Sequence, residues 1–322
     1  MTFTVELPAL DGRDPLGFLA ALGLHRLLTQ QQGRTVRLFF STTSGCAVID
    51  SELPTIDAIA ATLHGLLSHA GDDTAIIGVD DRFPLRKPGR STSRGSGTTD
   101  ESDPMRVPRA QYPQLVQRVT ELGEPAVRWL RVLVTDLAVD GRGRAALTPY
   151  CAPSGQQSLR SFFATPLQAV RKNPAHINEA LEGWRRISDF TGEYLDHRAV
   201  QDAAQHPEGK PANTGVPGAT WLATQALLLF RLTGDGQRAT ATLWHRHNGR
   251  HIMIWPLWKH PLDITATRTL LEHPALRPQP VTSTPSVDNS PLRPLGIFTV
   301  AGAERKPAAK SAGVLAPLTI TH

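Results

Sequence analysis

The chain has 322 residues, of which 40% are hydrophobic and 20% are charged, and this composition excludes wholesale disorder. Lysine and arginine total 34 against 29 aspartates and glutamates, so the net charge is +5 and the isoelectric point is about 9.5, which is compatible with an anionic partner without requiring one. Two cysteines, Cys46 and Cys151, are too few for a four-thiolate zinc site or a disulfide framework.

The first 81 residues are predicted to form a ferredoxin-like lobe. Asp14 followed by Pro15 is typical of an N-cap and first helical residue, and the small residues Gly17 and Gly23 inside that helix would let another backbone approach closely. In chain order the predicted elements are a strand over 2–7, a helix from Pro15 to just before Gly33, strands at 35–40 and 46–50, a helix at 55–69 and a strand at 75–79. This β-α-β-β-α-β order is the ferredoxin-like pattern.

Residues 82–108 are predicted to be a flexible linker, because they are rich in Pro, Gly, Ser and Thr and lack a hydrophobic period. The first half is basic and the second half is acidic. A basic arm can follow a phosphate backbone, whereas a solvated loop with self-neutralising charge is the alternative interpretation. The candidate nucleic-acid contacts in this segment are Arg86, Lys87, Arg90 and Arg94.

Residues 109–322 are predicted to form a mixed lobe of helices and antiparallel strands, which makes the fold class α+β. Hydrophobic spacing predicts one helix over 124–141, with Arg128 and Arg131 beside its apolar stripe. Other predicted elements are helices at 158–170, 177–190 and 219–234, a β-hairpin at 238–257 and a late strand at 291–300.

The stretch WHRHNGRHIMIW (244–255) contains the strongest local signal, since Asn248-Gly249 between apolar runs predicts a type I′ hairpin turn. His247 then lies opposite Arg250, and Arg246 lies opposite His251. In this register the histidines do not converge on one ion, so no metal site is expected. Arg246, His247 and Arg250 are instead candidate contacts to phosphate or RNA, with an ordinary exposed turn as the alternative.

A second candidate lies in TPYCAPSGQQSLRSFF (148–163). Ser154 and Gln157 have the spacing of a capping box, so a helix with free N-terminal amides is expected to begin there. Such a terminus can bind phosphate, and Arg160 one turn later would assist. A cap without a ligand is the alternative, because the Lys of a phosphate-binding loop is absent.

Signatures of enzymes are mostly missing, so no catalytic residue and no cofactor are predicted. The sequence contains no GxxxxGK[ST], HExxH, GxSxG or CxxC motif. Asp80, Asp81 and His197 keep a metal-dependent nuclease or hydrolase open as an alternative, although adjacent aspartates at a strand end are usually turn residues. No signal peptide or membrane span is apparent, so a cytoplasmic protein without a membrane partner is expected.

Four stretches resemble an actinobacterial group of CRISPR-associated proteins from type I-G (formerly I-U) loci, which is described as an extension family of the CRISPR helicase-nuclease. They are LPALDGRDPLGFLAALGLHRLL (7–28), PYCAPSGQQSLRSFF (149–163), PGATWLATQALLLFRLTGDG (217–236) and ATLWHRHNGRHIMIWPLW (241–258). The DPLGFLAALGL opening is also similar to the start of the type I-G large subunit and related accessory proteins.

The resemblance implies a non-catalytic accessory or effector subunit in RNA-guided antiviral defence. Its expected partners are proteins of the effector complex, the helicase-nuclease, and either crRNA or target DNA. The family carries no assigned active site, and this chain has no helicase or nuclease motif. A protein-only adaptor stays open as a further alternative.

Overall fold

The fold is α+β, with helices beside several antiparallel sheets, in a computed structural model that describes residues 2–30, 35–86, 103–151, 157–201, 212–280, 283–308 and 311–321. The α-helices are α1 (Pro15–Gln30), α2 (Ile56–Ser68), α3 (Tyr112–Thr120), α4 (Glu124–Leu133), α5 (Leu159–Lys172), α6 (Ala175–Glu182), α7 (Pro217–Ala226) and α8 (Ile264–Leu271). The strands are β1 (Phe3–Asp11), β2 (Arg37–Phe40), β3 (Cys46–Ser51), β4 (Val134–Val139), β5 (Ala145–Leu147), β6 (Ile187–Ser188), β7 (Val200–Gln201), β8 (Ala212–Gly215), β9 (Leu232–Gly234), β10 (Ala239–Ala241), β11 (Trp244–His247), β12 (Arg250–Trp258), β13 (Ile297–Ala308) and β14 (Ser311–Leu318). Within the described ranges, no helix combines the length and apolar character needed to cross a bilayer.

Helix α1 begins where the sequence predicts. The Asp14 carboxylate accepts the backbone N–H groups of Leu16 and Gly17 at 2.9 and 3.2 Å, which satisfies two donors that the helix cannot pair itself. A Cβ added at Gly23 would lie 1.7 Å from the Leu222 carbonyl oxygen of α7. The small residues of α1 therefore permit close backbone packing against α7, and that prediction is confirmed.

In the part of the chain that the structure describes, the N-terminal sheet has three of the four strands that a ferredoxin-like unit requires. Its order is β1-β3-β2, and β3 is antiparallel to both neighbours. The strand predicted at 75–79 is wrong, because these residues form turns. Ala75 and Ile76 are buried in the core, and Gly78 has a φ of 76° that interrupts extended backbone. The apolar run thus supplies core side chains without pairing in a sheet.

The helix predicted over 124–141 is half as long as expected. Helix α4 ends at Leu133, and β4 follows directly in antiparallel pairing with β5. Val134, Thr135 and Val139 are β-branched, which favours extended backbone once the strand has a partner. Leu137, which a continued helix would place on the apolar stripe, is 51% exposed.

One connected cluster of buried apolar side chains extends from Val5 to Ile320. Strand β12 contributes two indoles that reach the N-terminal region: the Trp255 Nε1–H donates to the Gly12 carbonyl at 2.7 Å and the Trp258 Nε1–H donates to the Leu38 carbonyl at 2.8 Å. The predicted boundaries at residues 81 and 108 stay predictions, and the regions on either side of them pack against each other.

The four-stranded sheet β11-β12-β13-β14 carries the predicted hairpin, and its register is confirmed. His247 pairs with Arg250, Arg246 with His251, His245 with Ile252 and Trp244 with Met253. Asn248 and Gly249 both have positive φ angles, of 48° and 77°, as a type I′ turn requires. The sheet thereby presents the hairpin tip beside β10 and the turn that precedes it.

Candidate nucleic-acid interface

The two faces of the hairpin differ in exposure. His247 is only 3% exposed, and its Nε2 lies 3.2 Å from the side-chain amide of Asn248. Burial, followed by the positive charge of Arg277, lowers the pKa of His245 to about 4. His245 is therefore neutral at pH 7, and both side chains lie on the more buried face of the hairpin. Because it is buried, His247 offers a ligand little surface, and its predicted contact role stays a prediction.

The opposite face borders a cavity of about 560 Å³, which we call the hairpin cleft. Arginines from three separate segments line it: Arg106, Arg238 and Arg246. His251 and the turn residue Gly249 complete the wall nearest the hairpin. A concave surface lined by several guanidinium groups is a typical site for phosphate.

The carboxylates in the hairpin cleft already have partners. Asp140 pairs with Arg106 at 3.0 Å and with Arg144 at 2.8 Å. Partial burial raises the pKa of Asp140, but hydrogen bonds from Arg144 and from the Arg142 backbone outweigh this effect and lower the pKa to about 2. The side chain of Asp235 accepts the backbone N–H groups of Gln237 and Arg238 at 3.0 and 2.7 Å. Two arginines thus neutralise Asp140, whereas Asp235 keeps its charge beside Arg238.

Arg238 and Arg246 are both exposed, and neither guanidinium forms an ion pair with another residue in the described part of the chain. Their positive charges affect His251, because the pKa of this histidine is lowered first by burial and then by Arg246 and Arg238. Two cations thus converge on one half-buried, neutral imidazole. The hairpin cleft therefore has a local excess of positive charge.

Arg250 and Arg160, two other predicted contacts, are already engaged within the protein. The Arg250 guanidinium donates to the Glu304 carboxylate at 3.0 Å on the neighbouring strand β13. The Arg160 guanidinium donates to the carbonyl oxygens of Asp81 at 2.9 Å, Pro84 at 3.0 Å and Asp73. Arg160 therefore fastens the 73–84 loop to α5.

The start of α5 differs from the predicted phosphate site. Its N-cap is Ser158, which exchanges hydrogen bonds with Ser161 in a capping box, whereas the predicted box at Ser154 and Gln157 lies one turn too early. The Leu159 N–H donates to the Asp103 carboxylate at 2.5 Å, so an internal anion already occupies this helix terminus. Ser154 itself lies outside the described residues.

Most of the predicted basic arm lies beyond what the structure describes. Lys87, Arg90 and Arg94 are outside the described residues. Arg86 is exposed and forms an ion pair with Asp73. The nucleic-acid role of these four residues stays a prediction.

The aspartates that kept a metal-dependent enzyme open are turn residues. The Asp80 carboxylate accepts three hydrogen bonds from Arg82, which lower the pKa of Asp80 to about 2. Asp81 accepts the Thr74 hydroxyl at 2.6 Å. These contacts hold the turn together, as adjacent aspartates commonly do.

A different cluster brings metal-ligand atoms together: Asp14, Asp196 and His197 each offer one atom, all within 4.8 Å of one another. Two arginines already balance these carboxylates. Arg198 bridges Asp14 at 2.6 Å and Asp196 at 3.2 Å, and Arg186 binds Asp196 at 2.5 Å. The cluster therefore resembles a buried ion-pair network more than an open cation site.

The sequence reasoning missed two residues of the hairpin cleft, Arg106 and Arg238. Arg238 follows the Asp235–Gln237 turn, and pairing of β9 with β10 would have placed it beside the hairpin. Arg106 has no comparable local signal.

A scan against protein-family models and a search of curated proteins both found no match to this chain.

Proposed function

We propose that the chain is a non-catalytic subunit that binds the phosphates of a nucleic acid through the hairpin cleft. Its motifs resemble the type I-G CRISPR-associated extension family, so we place this role in antiviral defence, beside the effector complex and the helicase-nuclease. The bound strand would be crRNA or target DNA. The β-α-β-β-α order of the first elements supports a relationship to ferredoxin-like subunits without completing that unit.

The observation that carries the proposal is the pair of exposed guanidinium groups of Arg238 and Arg246, which form no ion pair among the described residues, in a cleft where two arginines neutralise Asp140. Guanidinium groups bind phosphate oxygens through two parallel hydrogen bonds. Binding to phosphates releases counterions and gives affinity without sequence preference. A surface of this kind suits a subunit that holds a strand whose sequence is read by base pairing.

The test is a binding titration with labelled single-stranded RNA, single-stranded DNA and duplex DNA, using the full chain and an Arg238→Gln/Arg246→Gln double variant. We expect the variant to bind at least one of the three roughly tenfold more weakly at about 100 mM salt, because two phosphate contacts are lost. The matched control is Arg37→Gln/Arg185→Gln. It removes the same charge from two exposed arginines that lie 3.6 Å from their own carboxylates and outside the hairpin cleft.

Equal affinity of the two double variants for every nucleic acid would contradict the proposal, and so would absence of binding by the full chain. In the latter case, co-purification with proteins of the effector complex would favour a protein-only adaptor.

The Asp14, Asp196 and His197 cluster keeps a metal-dependent nuclease or hydrolase as a second candidate. That function requires Arg198 to leave the two carboxylates so that a divalent cation can enter. It predicts cleavage of a nucleic acid in Mg²⁺ or Mn²⁺ that EDTA abolishes and that an Asp196→Asn variant lacks. Our leading proposal predicts no metal-dependent cleavage under the same conditions.

A further inference from the structure

A second cavity, of about 440 Å³, lies among α1, α4, α8 and the segment that follows α7. We call it the arginine pocket, because its lining within the described ranges contains four arginines and no carboxylate. Its lining arginines are Arg26, Arg128, Arg131 and Arg268. Among the described residues, none that lines the arginine pocket also lines the hairpin cleft, so the two are separate sites.

Among the described residues, Arg26 is a buried cation without a counter-ion. Its side chain on α1 is 5% exposed, and its guanidinium donates to two neutral acceptors, the amide oxygens of Gln30 at 3.0 Å and Gln225 at 2.7 Å. It also lies 5.5 Å above the Trp129 ring. Burial lowers the pKa of Arg26 to about 10, which still leaves it protonated at pH 7.

One donor of this guanidinium is unsatisfied. The Nε of Arg26 is buried and has no hydrogen-bond acceptor among the described residues. Buried charges in proteins are normally paired, because removing an ion from water without compensation is costly. Because Arg26 lines the arginine pocket, an anionic ligand bound there would supply the missing negative charge.

The mouth of the arginine pocket strengthens this assignment. Arg131 on α4 and Arg268 on α8 are exposed, and neither forms an ion pair within the described part of the chain. Arg128 is partly neutralised by Glu124 at 2.5 Å. The exposed Arg131 and Arg268 therefore lie on the solvent side of the pocket, and the buried Arg26 lies on its inner side. Their positive charges together would attract an anion into the pocket.

We propose that the arginine pocket binds the phosphate groups of a nucleotide-sized ligand. Planar guanidinium forks match the oxygens of phosphate better than they match halide. The apolar part of the wall, which includes Val132, Leu228 and Ile264, suits the uncharged remainder of such a ligand. The cavity volume also falls in the range of roughly 300–1,000 Å³ that small-ligand sites occupy.

This phosphate can belong to a free nucleotide or to the 5′ end of a nucleic-acid strand, and the chemistry recognised is the same. The inference does not rest on strand binding in the hairpin cleft. The probes are accordingly inorganic pyrophosphate, ATP, and a short oligonucleotide with either a 5′-phosphate or a 5′-hydroxyl.

Isothermal titration calorimetry of the full chain with each probe is the test, repeated on Arg131→Gln/Arg268→Gln and on the charge-matched Arg37→Gln/Arg185→Gln. We expect the first variant to bind phosphate-bearing probes at least about tenfold more weakly and the second to stay within about twofold of the unaltered chain. Tighter binding of ATP would identify a free nucleotide, and tighter binding of the 5′-phosphorylated strand would identify a strand end.

The Arg26→Met variant adds a second readout at the base of the pocket, where we expect phosphate affinity to fall by about tenfold or more. If that variant does not fold, the surface pair alone decides the question. Absence of binding for every probe at millimolar concentration, or an equal loss in both double variants, would overturn the proposal. An Arg238→Gln/Arg246→Gln chain that loses strand binding and keeps pyrophosphate binding would separate this site from the hairpin cleft.

Discussion

Two groups of arginines in this chain have opposite surroundings. Arg186 and Arg198 bind the carboxylates of Asp14 and Asp196, and Asp196 is completely buried. In the arginine pocket, by contrast, the lining residues include no carboxylate, and Arg26 is buried against amide oxygens. Paired arginines of the first kind hold turns and termini together. Burial of Arg26 without a carboxylate costs free energy, and a bound anion would offset that cost.

The first prediction concerns the close packing of α1, which carries Arg26, against α7, which carries its partner Gln225. Gly23→Ala would place a Cβ 1.7 Å from the Leu222 carbonyl oxygen and force α1 away from α7. We expect the free energy of unfolding to fall by about 3 kcal/mol or more, as measured by urea denaturation. Gly65→Ala is the control, because its Cβ would meet nothing within 4 Å. We expect a gain of up to about 1 kcal/mol there from better helix propensity. An equal effect of both substitutions would contradict the close packing.

Buried histidines provide the second test, since they become unpaired cations when they are protonated. Burial lowers the pKa of His25 and of His245 to about 4 from an ordinary value of 6.5. Between those pH values the unfolded chain binds more protons than the folded protein, so stability is retained above pH 6.5 and is lost as the pH falls toward 4. The loss is at most about 3 kcal/mol for each histidine.

The measurement is the free energy of unfolding by urea at a series of pH values, compared with a His25→Gln variant. We expect the slope between pH 6.5 and 4 to be smaller in the variant, because one proton-linked cost is removed. A variant with the same slope as the unaltered chain would show that His25 is already protonated, or fully hydrated, in the folded state.

The third prediction has the smallest expected effects on stability and compares one variant of each arginine group. Asp196→Asn would leave Arg186 and Arg198 facing a neutral amide, and we expect a loss of about 2 kcal/mol, discounted because both guanidinium groups are partly exposed. Arg131→Gln/Arg268→Gln removes cations without a partner, and we expect its stability to stay within about 0.5 kcal/mol of the unaltered chain. Thermal or urea unfolding without added anions measures both, and a larger loss in the pocket variant would reverse the comparison.

Local signals in the sequence predicted local structure well. Asp14-Pro15 predicted the start of α1, and Asn248-Gly249 predicted the hairpin register residue by residue. In both cases the information lies within a few neighbouring side chains, and no distant contact competes with it.

Predictions failed where distant contacts decide the local structure. Ala75 and Ile76 of the apolar run at 75–79 are buried although the run forms no strand. The helical spacing of 124–141 gives way to a β-strand beyond Leu133, where β5 is available for pairing. The binding surfaces were the hardest features to predict from the sequence. Arg26, Arg131 and Arg268, for example, line one pocket from three helices that are far apart in the chain. No spacing rule connects such residues.

The hairpin cleft is tested most directly by the salt dependence of strand binding. The logarithm of the association constant, plotted against the logarithm of salt concentration between about 50 and 200 mM, gives the number of phosphates neutralised. For a single strand, we predict that the slope of the Arg238→Gln/Arg246→Gln variant is shallower by about 1.4 than that of the unaltered chain, since two contacts are lost. An unchanged slope in the variant would contradict the claim that these two arginines contact nucleic acid.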